Sequence, residues 1–428
     1  MAVSAEASAL RKIAIRLTSY LGFIYIIAVV DRSNVGIAAL QMTPDLKLSA
    51  AAFGLGAGLF FLAYAIFEVP SNLALHKVGA SLWIGRIMIT WGIIAAAIGL
   101  IQGAHSFYVL RFLLGAAEAG FFPGVVYYMT LWYPAAYRAK SYALFMSFGV
   151  AAYILVGPLS TWLMTLSNGL FGYAGWRWLF VLEGLPCVIL GIFTVFYLTD
   201  YPEKAKWLTS EEKAWLQGRL EAERLAEPPV EHHSIVSFLK DKRVWLMSGV
   251  YLFWNLGNLG LLFWLPTILK SASKVWSNQT IGFLYSVPFL CAFIGLHFMV
   301  WVSRRTGHRG GVLIFCSVVP FLALSVSAWV TSPIMAYCMI CVGTFCVWAL
   351  LPIFWTLPAE YLGGKTAAGG IAVISSTTGI GGLLGPWFVG LIKEATGKFS
   401  WAIEALAIAF LIQGCFLVAM KIKKVGGR

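Results

Sequence analysis

Arg111-Phe-Leu-Leu-Gly-Ala-Ala-Glu118 lies in the middle of an apolar run covering roughly residues 107–131. On a helix, an arginine and a glutamate seven residues apart share one face, two turns from each other. A second charged pair, Asp31-Arg32, interrupts the apolar run around residues 24–40. A charged residue near the centre of a bilayer costs roughly 2.5–3.5 kcal/mol on insertion scales, so four unpaired charges would cost roughly 10–14 kcal/mol. That is comparable with the whole net stability of a domain. Two things can offset it: pairing among the four, or a charged substrate together with a coupling ion.

The surrounding composition decides that these runs cross a membrane. Of 428 residues, 60% are hydrophobic and only 11% charged, against about 25% charged in soluble domains. The net charge of +13 sits in short loops between apolar runs, so it sets topology and does not point to nucleic acid. All seven cysteines fall inside apolar runs, so they do not form an extracellular disulfide framework, and Cys338-x-x-Cys341 reads as packing. Arg11, Lys12 and Arg16 precede a long apolar run without a small-residue cleavage site, which predicts a retained first span.

Windows of membrane-crossing length recur at about 17–40, 53–75, 82–102, 106–131, 141–166 and 177–199. After a polar interval they resume at about 244–269, 280–302, 311–331, 334–357, 367–392 and 400–420. With the N-terminus inside, cytoplasmic segments hold 23 of the 31 lysines and arginines and the outer side six, Arg32 and Arg111 being intramembrane. Both termini are therefore expected in the cytoplasm.

Three landmarks repeat between the halves. Pro134-Ala-Ala-Tyr137 recurs as Pro358-Ala-Glu-Tyr361 at an offset of 224. Lys77-Val-Gly79 recurs as Arg305-Thr-Gly307, and Gly157-Pro158 as Gly385-Pro386, both at 228. The expected architecture is all-α: twelve transmembrane helices in two pseudo-symmetric six-helix halves meeting around a midplane site. The N-terminal half covers 1–199, a cytoplasmic linker 200–243 and the C-terminal half 244–428. In the linker, Thr209-Ser-Glu-Glu212 matches a capping box, followed by Trp215, Leu216 and Leu220 at helical spacing. A short amphipathic helix along the inner membrane face is expected there. His232-His233 then falls in a polar linker and reads as inert.

These residues resemble the major facilitator superfamily, and more narrowly its anion:cation symporter family, which includes bacterial organic-anion importers, sialin and vesicular glutamate transporters. The resemblance rests on Asp31-Arg32-Ser-Asn34, Arg111-x6-Glu118 with Ala-Gly-Phe-Phe-Pro123-Gly, Trp176-Arg-Trp178-Leu-Phe-Val-Leu-Glu183-Gly-Leu-Pro186 and Leu198-Thr-Asp200-Tyr-Pro202. It covers nearly the whole chain and is nearest the bacterial branch for tartrate-like or aromatic carboxylates. Three places depart from the family pattern. His76 precedes Lys77 where an aspartate is usual, Arg304 replaces an aspartate in the equivalent second-half loop, and Ser375 and Gly379 stand where many relatives have asparagines.

Under the repeat, Asp31 maps to 255–259 and Glu118 to 342–346, so the second half offers amides and apolar groups where the first offers charges. Proton coupling is accordingly expected at Asp31 and Glu118. Substrate binding is expected at Arg32, Tyr64 and Arg111, with Asn255, Asn258, Trp355 and Ser375 adding hydrogen bonds and shape. Tyr64 is implied by the resemblance, although core packing explains it nearly as well. Glu68, Arg138, Lys140 and Arg304 are the gating candidates. A guanidinium offers a carboxylate a bidentate fork. Burial favours the protonated carboxyl and a nearby arginine the ionised one, so arginine movement or anion arrival switches protonation. The rival static reading is an Asp31–Arg111 and Arg32–Glu118 lattice tying the first and fourth spans together. His297 in the eighth span suits a proton shuttle or a hydrogen-bonded structural histidine.

The reading is a secondary active transporter in a bacterial inner membrane: proton-coupled symport of a small organic carboxylate by a monomer, with no cofactor and no metal. An uncoupled facilitator or exporter is the runner-up, and a non-transporting nutrient sensor comes from another class. No nucleophile–base pair, histidine-rich cluster or nucleotide loop in context supports an enzyme.

Overall fold

Ser49 and Ser277, 228 residues apart, begin equivalent helices in equivalent ways. Each has φ −68° and ψ 160°, and its hydroxyl accepts from the amide three residues on, 3.2 Å from Ala52 and 3.1 Å from Thr280. The helices they cap, Ala50–Val78 and Asn278–Thr306, are both 29 residues long. Both end at a glycine with positive φ, Gly79 at 100° and Gly307 at 65°. The repeat seen in the sequence is thus a repeat of structure, residue for residue, in these two helices.

The computed structural model describes residues 5–226, 241–273, 275–361 and 367–422. His232-His233, Lys240, Lys274, Lys365 and the tail 423–428 lie outside the described residues. Twelve helices are long and apolar enough to cross a membrane. In the first half these are α1 (Ala5–Asp45), α2 (Ala50–Val78), α3 (Ala80–Ile98), α4 (Ala104–Trp132), α5 (Ala135–Leu166) and α6 (Gly175–Tyr197). The linker helix is α7 (Ser210–Ala226). The second half has α8 (Lys242–Ala272), α9 (Asn278–Thr306), α10 (Arg309–Trp329), α11 (Pro333–Pro358), α12 (Gly369–Thr396) and α13 (Phe399–Ala419). The described residues contain no strand. Several helices run past the expected windows, because polar first and last turns continue beyond the apolar core.

Packing follows the same two-fold relation. In the first half α3 lies on α6, α2 on α4 and α1 on α5; in the second α10 lies on α13, α9 on α11 and α8 on α12. The halves meet through α2 on α12, α5 on α9 and α1 on α8. Two of these crossings are tight and symmetry-related. A Cβ on Gly54 would fall 2.3 Å from the Pro386 carbonyl, and one on Gly157 would fall 2.1 Å from that of Gly282. Only glycine permits such backbone approach, as in membrane helix pairs generally.

Both crossings lie toward the end of the bundle away from the linker, called here the distal end. There Glu394 also accepts from the Ala51 amide at 3.0 Å, and Ser286 donates to the Ile154 carbonyl at 2.5 Å. At the linker end, the polar contacts stay within one half. Glu212 holds Lys12 and Ser8, Glu223 lies against Ala135 and Arg138, and Arg309 meets Glu360. Among the described residues the halves are fastened distally and not at the linker end.

The capping box forms as its spacing predicts: Glu212 accepts from the Thr209 amide at 2.8 Å and Thr209 Oγ1 from the Glu212 amide at 3.3 Å. Trp215 and Leu220 pack on the core and Leu216 is buried. Glu212 is also buried, against the first turns of α1. The helix is docked on the first half.

Candidate functional site

Pro123 explains a feature the sequence reading did not anticipate: α4 is broken. A proline has no N–H for the carbonyl of Ala119, four residues back, and its ring crowds that carbonyl. The helix stops at Glu118 and restarts at Phe121, with Pro123 tolerated in the new first turn. Between them Gly120 takes a left-handed φ of 86°. A Cβ there would also lie 2.4 Å from Ser71 Oγ, so conformation and space both require glycine. The span expected over about 106–131 is present as Ala104–Trp132, and the break within it makes Glu118 the last residue of a half-helix. Discontinuous helices of this kind form ion and substrate sites in transporters.

Glu118 pairs with Arg32 of α1. The carboxylate is 1% exposed and the arginine 20%, so the pair is reached from the arginine side. The Arg32 guanidinium lies 5.3 Å from the Phe60 ring centroid and 5.4 Å from that of Tyr64, both on α2. Cation–π contacts of this sort orient an arginine without using its hydrogen-bond donors. Its buried Nε has no partner.

Arg111 is fully buried. Its Nε donates to the Gly56 carbonyl at 3.4 Å and its Nη2 to that of Ala57 at 3.3 Å, while the guanidinium lies 4.9 Å from the Phe60 centroid. These partners belong to α2, so Arg111 ties α4 to α2. Among the described residues it forms no ion pair, and its Nη1 is unpartnered. The Asp31–Arg111 half of the static lattice is therefore absent. Adjacent helical residues point about 100° apart. With Arg32 turned to α4, Asp31 faces α3 and α6, where Oδ2 accepts from Trp91 Nε1 at 2.7 Å and Cys187 Sγ at 3.0 Å.

Across the pseudo-symmetry, Asn255 donates to the Tyr251 carbonyl at 2.8 Å and Asn258 is buried. Trp355 lies edge-on to Tyr251, with centroids 5.0 Å apart, and Ser375 is half-buried on α12. The sequence reading missed the aromatic wall joining the halves here. Tyr153 of α5 meets Trp348 at 5.2 Å, Trp348 meets Trp254 at 5.7 Å, and Trp254 stacks on Tyr251 at 5.9 Å. Aromatic abundance alone could not single these out among 18 tryptophans and 17 tyrosines. The sequence reading gave no role to Glu183, which is buried on α6. Its signal was the same as that of Glu118, a carboxyl inside an apolar run.

The gating candidates are not assembled in this state. Arg138 donates from Nε to the Tyr133 carbonyl at 2.8 Å, and its Nη2 lies 3.7 Å from Glu223. Among the described residues Glu68, Lys140 and Arg304 form no ion pair. His297 Nδ1 bonds the Phe293 carbonyl of its own helix at 2.9 Å, the structural alternative. A separate cavity of about 360 Å³, lined by Ser327, Tyr337, Lys393 and Lys398 among others, lies at the distal end of the second half, away from the charged cluster.

Twelve membrane-length helices in two symmetric halves, fastened at one end over buried charges at a broken helix, define a multi-pass membrane transporter. The chain belongs to the Major Facilitator Superfamily, whose sequence profile matches residues 21–386. It is 43% identical over 406 residues to a quinolone resistance transporter of Acinetobacter baumannii, covering 95% of this chain and 93% of that protein. It is 42% identical over 407 residues to a putative tartrate transporter of Agrobacterium vitis, covering 95% and 90%. Among solved structures, a bacterial homolog of the human lysosomal transporter Spinster, inward-facing and occupied, superposes with a TM-score of 0.77 at 17% identity, covering 95% of this chain and 96% of that one.

Proposed function

We propose that this protein is a proton-coupled symporter of a small organic carboxylate, working by alternating access in a bacterial inner membrane with both termini cytoplasmic. The carrying observation is the Arg32–Glu118 pair at the break in α4. Arg32 is the exposed partner, and its guanidinium has donors beyond those spent on Glu118. An incoming carboxylate competes for that guanidinium. As Arg32 turns to the substrate, Glu118 loses its counter-charge in a water-poor setting and takes up a proton. Substrate and proton are thereby bound together, and the loaded, locally neutral site can cross between states. Tyr64 and Phe60 hold the guanidinium, Arg111 fixes α4 on α2, and the aromatic wall with Asn255 and Asn258 supplies shape and polar contacts from the second half.

The positive-inside distribution supports a cytoplasmic linker end. On that reading the distal fastening corresponds to an inward-facing state. Glu68, Arg138, Lys140 and Arg304 remain the candidates to close that end in the opposite state. Similarity to two proteins described as putative tartrate transporters supports the organic-anion class. Similarity to a quinolone resistance transporter supports export as the second reading, since direction follows the gradients and quinolones also carry a carboxylate. The test is uptake into proteoliposomes of labelled hydroxy diacids, sugar acids and aromatic acids, with and without an inward proton gradient. Gradient-stimulated accumulation of one of these acids is expected. Equal flux with and without the gradient would favour the uncoupled reading.

A further inference from the structure

Glu183 is a buried carboxyl that the mechanism above does not use. It sits on α6, and its side chain bridges two other helices. Oε2 accepts from Asn34 Nδ2 of α1 at 2.6 Å, and Oε1 accepts from Ser160 Oγ of α5 at 2.9 Å. Cys187, one turn along α6, gives its thiol to Asp31 Oδ2 at 3.0 Å while lying 3.2 Å from the Glu183 carbonyl. Two acids therefore occupy one buried strip of polar groups between α1, α3, α5 and α6.

The groups facing them are known from each side. Helix α1 presents Asn34, α3 presents Trp91, α5 presents Ser160 and α6 presents Cys187. Among the described residues no lysine, arginine or histidine pairs with either acid. Asp31 Oδ1 and Asn34 Oδ1 are buried without a partner. A buried carboxyl with no cation in contact carries its charge only at high cost, so a proton is the partner that suits it.

The strip also has a direction. Glu183 is about 12 Å along α6 from that helix's distal start, whereas Asp31 is about 21 Å from the distal end of α1. Glu183 is the acid nearer the distal, outer side.

We propose that Glu183 is a further proton-binding site, the outer member of a buried carboxyl pair with Asp31 inside the first half. A proton from the outer solution adds to the Glu183 carboxylate when the outer face is open, and it leaves to the cytoplasm through Asp31 and the Glu118 region after the change of state. This rests on the symport reading and extends it.

Glu183→Gln tests it: the amide keeps the size of the side chain, its oxygen accepts from Asn34 or Ser160 and its NH2 donates to the other's oxygen, but it cannot carry the proton. The expected result is a tenfold or greater loss of uptake driven by a proton gradient, with counterflow exchange retained. A carbonyl band of a protonated acid, seen by infrared difference spectroscopy between acid and neutral pH, should disappear in the variant. Gradient-driven uptake at the wild-type level with an unchanged band would overturn the proposal and leave the symport reading standing. Failure of the wild type itself to take up protons with substrate would end both. If Glu183→Gln does not reach the membrane, Ser160→Ala removes the donor to Glu183 Oε1 and should move the pH dependence of uptake. An unmoved profile there would also count against the proposal.

Discussion

Arg32 and Glu118 meet where α4 is interrupted, the arginine on the accessible side and the glutamate almost wholly buried. The proline that breaks the helix and the glycine that turns it place the carboxyl at a helix terminus instead of within a rigid span. One residue back, Asp31 points about 100° round the helix and serves different partners.

Arg32→Lys should bind substrate nearly as poorly as Arg32→Ala. A lysine supplies charge but not the planar fork that grips a carboxylate, nor the same fit between Phe60 and Tyr64. Calorimetric titration with the transported acid decides, and a lysine variant of wild-type affinity would reduce Arg32 to a point charge.

Gly120→Ala should destabilise the protein. A left-handed backbone costs an alanine about 1–2 kcal/mol, before the contact with Ser71, whose Oγ would lie 2.4 Å from the new methyl. The melting temperature in detergent should fall, and a second change, Ser71→Gly, should recover part of the loss. Wild-type melting in the single variant would mean the break in α4 is not held at this glycine.

Glu212 gives a pH-dependent contact outside the membrane. Burial opposes its ionisation, but hydrogen bonds from Lys12, Ser8 and the Thr209 amide, with the Lys12 charge, hold its carboxyl down to about 2. Its usual value is 4.5, so the folded group is the stronger acid. Its contribution to stability is therefore present above about pH 4.5 and is lost as the pH falls toward 2. Glu212→Gln should melt below wild type at pH 7, and the gap should narrow steadily below pH 4.5. A gap independent of pH would show that the contact owes nothing to the ionised form.

Membrane potential distinguishes one coupled proton from two. A monoanion entering with two protons carries one positive charge, and each 100 mV, inside negative, then adds about 2.3 kcal/mol of driving force. If Asp31 and Glu118 both titrate, a potassium potential set by valinomycin at equal pH should stimulate monoanion uptake in wild type and not in Asp31→Asn. A monoanion that ignores the potential would leave Asp31 as a partner of Trp91 and Cys187 alone.

Much of this was legible in the sequence. Charge-poor windows and repeated landmarks gave twelve spans in two halves, because hydropathy and lysine–arginine bias are read position by position. The Arg32–Glu118 pair stood in the sequence only as half of the rival static lattice, and the other half, Asp31–Arg111, does not form. What escaped was angular and cooperative. Sequence spacing could not say that Asp31 turns to Trp91 and Cys187, since that depends on where α3 and α6 pack. The break after Glu118 was visible in Gly120 and Pro123, but prolines also occur inside unbroken helices here, such as Pro158 in α5. The aromatic wall arises from both halves and has no local signature.

The central claim is that Glu118 takes up the coupling proton when substrate engages Arg32. The most direct measurement compares wild type with Glu118→Gln in proteoliposomes, scoring uphill uptake driven by an inward proton gradient beside downhill counterflow of the same acid. The account predicts that the variant loses the first and keeps the second, since a glutamine preserves the fold and the substrate site but cannot exchange a proton. Gradient-driven uptake in Glu118→Gln equal to wild type would contradict it.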